Sequence, residues 1–159
     1  MSYKEYRDVI DKSDWGHGPW DSEPDKIEWV DPETGYDCII RRSPLGALCG
    51  YVGIPESHAL FGLDYDDLNI DLEVHGGITW TGKPDGDEVP IDIRLATEHP
   101  KQLWWIGFDC AHAFDLAPAM RRYTDMVTTW PDDWTQVYRD MEYVRSEVLE
   151  LAKQLDKAR

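Results

Sequence analysis

Basic residues are scarce in this sequence: 16 Lys and Arg stand against 32 Asp and Glu, for a net charge of −16. Without a basic patch a chain has no footprint for the phosphates of nucleic acid or for an anionic membrane surface. Cysteine is also sparse. Cys38, Cys49 and Cys110 are odd in number and widely spaced, which does not suggest a disulfide framework and points to reduced thiols. No apolar run approaches the roughly 20 residues that span a bilayer, and the polar start Met1–Tyr6 lacks the apolar core of a signal peptide. A cytoplasmic protein is the expectation. Missing too are a phosphate-binding glycine loop, a Rossmann fingerprint, H-E-x-x-H, G-x-S-x-G and C-x-x-C. Most standard ATPases, dehydrogenases, zincins and α/β-hydrolases are set aside with them.

What is present is a globular composition rich in rings. The 159 residues include eight Trp and eight Tyr, which imply a core built on large rings or an aromatic-lined recess. This length suits a single domain, 1–159, able to bury roughly 68–70% of its unfolded surface without staples.

Read in order, residues 1–25 suggest a short helix over 1–12 and then a Gly- and Pro-rich loop, 14–21. Ile27–Val30 and Tyr36–Arg41 flank Asp31-Pro32-Glu33-Thr34-Gly35, a hairpin signal. A turn at 43–46 leads to a third strand, Ala47–Ile54. Strict alternation predicts a strand over Asn69–His75 with Ile70, Leu72 and Val74 inward. Gly76-Gly77 marks a bulge or a close approach before Ile78–Thr81. Ile91–Leu95 suggests an edge strand or a helical turn. Leu103–Cys110 is apolar on both faces, as in a covered central strand. A helix is predicted over 131–157, opened by Pro131, Asp132 and Asp133 and carrying an apolar stripe for more than five turns. The fold class is therefore α+β: an antiparallel meander of hairpins over 26–112, covered by one long C-terminal amphipathic helix.

Candidate chemistry gathers at strand ends. In an extended Asp109-Cys110-Ala111-His112, Cys110 and His112 share a face. With His75 they form a set of Cys and His ligands suited to Zn²⁺, His58 or Asp115 completing it. Alternatively Cys110 is a nucleophile, His75 or His112 its base, Asp109 or Asp115 the orienting carboxylate, and the Gly76 and Gly77 amides an anion-stabilising pair. His58 and Trp80 join the glycines as candidate ligand contacts. His99 precedes the central strand, and Asp64, Asp66 and Asp67 read as a solvated loop. A hydrogen-bonded polar cluster without catalysis is the plain alternative.

Val74-His75-Gly76-Gly77-Ile78-Thr79 and Gly107-Phe108-Asp109-Cys110-Ala111-His112 carry a resemblance. So do Gly50–Pro55 with His58, Tyr65-Asp66-Asp67, and Tyr138-Arg139-Asp140 with Tyr143-Val144. Over roughly 36–155 the chain resembles a family of uncharacterised bacteriophage and prophage proteins. That resemblance implies a phage or prophage origin and a host cytoplasm as workplace, and it supplies no reaction. The chain departs from the family pattern at Ala113-Phe114, which counts against a role for Asp115. Two functions stay open: a His/Cys/Asp pocket that takes a metal or a small ligand and hydrolyses it, and a non-enzymatic acidic inhibitor or adaptor of a host protein that mimics nucleic acid in counter-defence.

Overall fold

The computed structural model describes residues 3–83, 102–120 and 136–159. Strands β1 (Tyr3–Tyr6), β2 (Lys26–Val30), β3 (Asp37–Arg42), β4 (Leu48–Ile54), β5 (Trp80–Gly82) and β6 (Trp104–Asp109) form one antiparallel sheet in the order β1-β2-β3-β4-β6-β5. Helix α1 (Met141–Ala158) lies across β3 and β4. The class is α+β, as expected.

The β2–β3 hairpin is set by its turn. Asp31 accepts the backbone N–H groups of Glu33 and Thr34 and the Thr34 hydroxyl, and Gly35 takes a positive φ of 78°. Register then pairs Trp29 with Cys38 and Ile27 with Ile40. Alternation sorts the side chains between two faces. Ile27, Trp29, Cys38, Ile40, Leu48, Val52, Ile106, Phe108 and Cys110 share one core with α1, while Ile39, Cys49, Tyr51, Leu103 and Trp105 form a second cluster.

The helix contributes Val144, Val148, Leu151, Ala152 and Leu155, each with no exposed surface. Burial of each larger side chain is worth about 1.5–3 kcal/mol. Gly50 lets the helix come close: a Cβ there would lie 2.5 Å from Val148 Cγ2 and 2.7 Å from Phe108 Cε1.

Of the two fully buried cations among the described residues, Lys26 and Arg42, the second ties distant segments together. Arg42 has no exposed surface, and its five N–H donors meet five acceptors: Asp25, the Gly46 carbonyl, the Tyr138 hydroxyl, Glu23 and the Pro24 carbonyl. Glu23 also accepts the Tyr138 hydroxyl proton and the Met141 N–H at the start of α1. One side chain thereby joins the loop before β2 to the helix N-terminus.

Three expectations are corrected. Residues 3–6 form an edge strand, not a helix. The β2 edge offers a ladder that pairs Tyr3 with Trp29, and Asp25 takes the Val9 and Ile10 N–H groups that a helix would use internally. Residues 69–75 form no strand. Leu72 and Val74 do pack against the core, but the backbone partner is the Gln154 amide, which accepts from Glu73 N–H and donates to Glu73 C=O. The helix Met141–Ala158 does not extend back through 136–140, which are not helical: Asp140 caps it by accepting the Tyr143 N–H, and Val137 instead bridges Asp115. Ile91–Leu95, His99 and Pro131–Asp133 lie outside the described residues.

Candidate functional site

The site stands where β6 ends, between the Val74–Gly77 turn, the His112–Asp115 turn and the first turn of α1. Gly76 and Gly77 both adopt positive φ, 70° and 80°, and Gly77 N–H closes the turn on Val74 C=O. L-residues with a Cβ disfavour that region. The turn delivers His75 between two partners. Its Nδ1 lies 2.8 Å from the Tyr143 hydroxyl, and its Nε2 lies 2.8 and 2.9 Å from the Asp115 carboxylate oxygens.

Asp115 is held from three sides. Besides His75 it accepts the His112 N–H at 3.0 Å and Arg139 Nε at 2.9 Å. Arg139 is brought there because Leu116 N–H and Val137 N–H exchange bonds with Val137 C=O and Phe114 C=O. Burial pushes the Asp115 carboxyl up, but the bonds from His75, Arg139 and the His112 amide outweigh it and hold the group below the usual carboxylate range. Asp115 is thus an anion, an acceptor only. Facing that anion, His75 Nε2 takes the donor's part, and in the neutral imidazole this leaves Nδ1 to accept from Tyr143 O–H. Burial, then the charge of Glu147, raises the Tyr143 phenol above its ordinary value, so Tyr143 keeps its proton at neutral pH. The arrangement is a continuous chain: Tyr143 O–H to His75, His75 N–H to Asp115, with Arg139 behind.

His112 sits beside this chain, its ring centroid 5.8 Å from that of His75. Its Nε2 is 3.4 Å from Asp109 Oδ1, out of line for a hydrogen bond, and is pressed against Gly76. Asp109 accepts the Thr79 hydroxyl and the Ala111 N–H. His75, His112, Asp109 and Gly76 therefore come together, and Gly77 shapes the turn while its amide is spent within it.

The remaining candidates do not join them. Cys110 is 2% exposed and packs in the core beneath α1. Burial, then the charge of Asp115, pushes its thiol well up from its ordinary value, the opposite of an activated nucleophile. His58 is buried elsewhere. Its Nε2 donates to Leu155 C=O in the last turn of α1, and its Nδ1 accepts the Leu60 N–H. That bond satisfies a carbonyl left over at the helix end, a structural duty rather than a ligand contact. Trp80 packs edge-on to Tyr51, ring centroids 5.7 Å apart, on the far face of the sheet. Among the described residues no three His, Cys, Asp or Glu side chains are placed to share a metal ion.

Sequence reasoning offered Asp115 as a completing ligand or orienting carboxylate but left its role in doubt, and it assigned no role to Tyr143 or Arg139. Tyr143 falls within the predicted helical segment, where a ring reads as packing, and an arginine such as Arg139 reads there as solvent-facing. The Asp115 carboxylate, three residues beyond His112, carried a readable signal, but the departure at Ala113-Phe114 argued against it; Arg139 and Tyr143 stood only in the strings that carry the resemblance, with no role attached. Among the described residues no helix is long and apolar enough to cross a membrane. Comparison of the chain with protein-family models, with curated proteins and with solved structures gives no match.

Proposed function

We propose that this is a phage-type protein working in a host cytoplasm, and that it binds a small ligand at the His75–His112 end of the sheet and hydrolyses it by acid–base catalysis. One observation carries the reading: a single imidazole has an anionic carboxylate on one nitrogen and a protonated phenol on the other. A water or ligand hydroxyl bound at the Tyr143 oxygen passes its proton to that oxygen as Tyr143 passes its own to His75 Nδ1. The imidazolium so formed faces Asp115, which stabilises it. Return of the proton along the same path protonates the leaving group. His112, with 38% of its side chain exposed, is the second imidazole a ligand meets.

The test is a turnover screen with p-nitrophenyl esters, bis-p-nitrophenyl phosphate and p-nitroanilide peptides, using parent protein, His75→Gln and Tyr143→Phe. Turnover of one class, lowered about 10²–10⁴-fold in both variants, supports the reading. Folded parent protein inert to all three classes overturns it for those bonds. Zinc held by His75, Cys110 and His112 is the rival use of these residues. It has less support, since both His75 nitrogens are engaged. Native mass spectrometry of parent and His75→Ala with added zinc distinguishes the two.

A second reading has its own observation. Asp64, Asp66, Asp67, Asp71 and Glu73 are all exposed within ten residues of chain, on a protein of charge −16. Such a surface suits a basic cleft on a host protein. Capture of a host partner that is lost in high salt or on reversing these acids, and kept in His75→Gln, supports it.

A further inference from the structure

Two residues apart on α1, Tyr143 and Arg145 point about 200° away from each other around the helix. Tyr143 serves the His75 site. Arg145 turns to the opposite flank, toward β1 and β2, where α1 leaves part of the sheet uncovered. A half-open cavity of about 450 Å³ lies there, with Tyr3, Trp29, Pro32 and Leu149 as its apolar wall and Arg145 and Asp31 as its charged groups. That volume falls in the range of small-molecule sites.

The two charges are not equivalent. Asp31 is 4% exposed, and its oxygens are occupied by Glu33 N–H, Thr34 N–H and the Thr34 hydroxyl. It belongs to the hairpin turn. Arg145 lies 5.2 Å from the Trp29 ring centroid and 5.6 Å from that of Tyr3. Among the described residues its guanidinium meets no carboxylate, although the chain holds 32 acidic residues. A guanidinium positioned by ring faces keeps its N–H donors available, in the planar fork that matches a carboxylate.

We infer that this groove binds a small aromatic monocarboxylate. The ring lies against Trp29, Pro32 and Leu149, and the carboxylate takes a bidentate pair of bonds from Arg145. A single negative charge is selected because the chain's own charge of −16 repels polyanions, and the mostly apolar wall leaves the oxygens of a phosphate without further donors.

The experiment is calorimetry and amide NMR titration with 3-phenylpropionate and with its neutral counterpart, 3-phenylpropionamide. Saturable binding of the acid is expected, with the amide about tenfold weaker or more and perturbed amides in residues 29–32 and 145–149. Arg145→Met should abolish the preference for the acid, Arg145→Lys should keep part of it, and Leu149→Glu should abolish acid binding. Circular dichroism checks that each variant is folded. His75→Gln should bind the acid as the parent does, so the outcome is independent of the catalytic reading. Equal affinity for acid and amide, undiminished binding to Arg145→Met, or perturbations centred on 74–77 and 112–115 would overturn the assignment. Tighter binding of a short peptide ending in phenylalanine would overturn the small-acid assignment in favour of a protein C-terminus.

Discussion

A Cβ added to Gly76 would lie 2.0 Å from His112 Nε2. The glycine and the imidazole share one space, so the turn that aims His75 also seats His112.

Gly76→Ala and Gly77→Ala separate the two demands on that turn. At Gly77 the added Cβ meets nothing within 4 Å, and the cost is the positive φ alone, about 1–2 kcal/mol. At Gly76 the displaced His112 adds about 1–3 kcal/mol more. Urea unfolding of both variants measures the difference. Equal losses would show that His112 yields freely.

Acid stability should report on Asp115. Its folded pKa lies below its unfolded value, so the stability it contributes is fully present above about pH 3.9 and is lost as the pH falls through the lower folded value. Asp115→Asn removes that titration. The stability gap between parent and variant should therefore close as the pH falls below about 4. A gap independent of pH down to 2 would contradict the ionised, bonded carboxylate.

Thiol chemistry gives a direct check on the displaced nucleophile. Cys38, Cys49 and Cys110 are all buried. Burial raises every one of them, Cys49 to about 11. Native protein at pH 7.5 (about one unit below a free thiol) should react slowly with iodoacetamide, and all three sites should label in denaturant. Fast modification of Cys110 alone in the folded state would restore it as a candidate.

The strands with clear turn chemistry were legible from sequence, and so was the helical stripe. Pro32 and Gly35 bracket the β2–β3 turn, and the five fully buried helix residues recur at the spacing of one face. Residues 3–6 were not legible, because four mostly exposed residues carry no pattern of their own and take their conformation from the free edge of β2. The alternation in 69–75 was real as burial but false as a strand, since Gln154 supplies in one side chain what a neighbouring strand supplies along its length. At the site, His75 and His112 were visible as residue types. Tyr143 was not, because a tyrosine in an apolar helical segment looks like packing until its hydroxyl is seen on an imidazole.

Helix–sheet contact at Gly50 allows a cycle. Gly50→Ala should destabilise by about 1–3 kcal/mol by overpacking against Val148. Combined with Val148→Ala it should cost less than the sum of the single changes, by about 0.5–3 kcal/mol. Strict additivity, measured by chemical denaturation, would mean that the helix moves off the sheet instead.

The Arg42 cluster also bears on the order of assembly. Four of its five acceptors come from residues 23–25 and 46, close by in sequence, whereas the Tyr138 hydroxyl is 96 residues away. Glu23 in turn meets the Met141 N–H across 118 residues. As the chain leaves the ribosome, the hairpin end can organise around Arg42 long before α1 exists, leaving a socket that lacks its last donors and acceptors. Closing so long a loop is entropically slow and is rewarded only when the helix arrives. Docking of α1 is then a late step, and the His75 site, which needs Tyr143 from that helix, is completed with it.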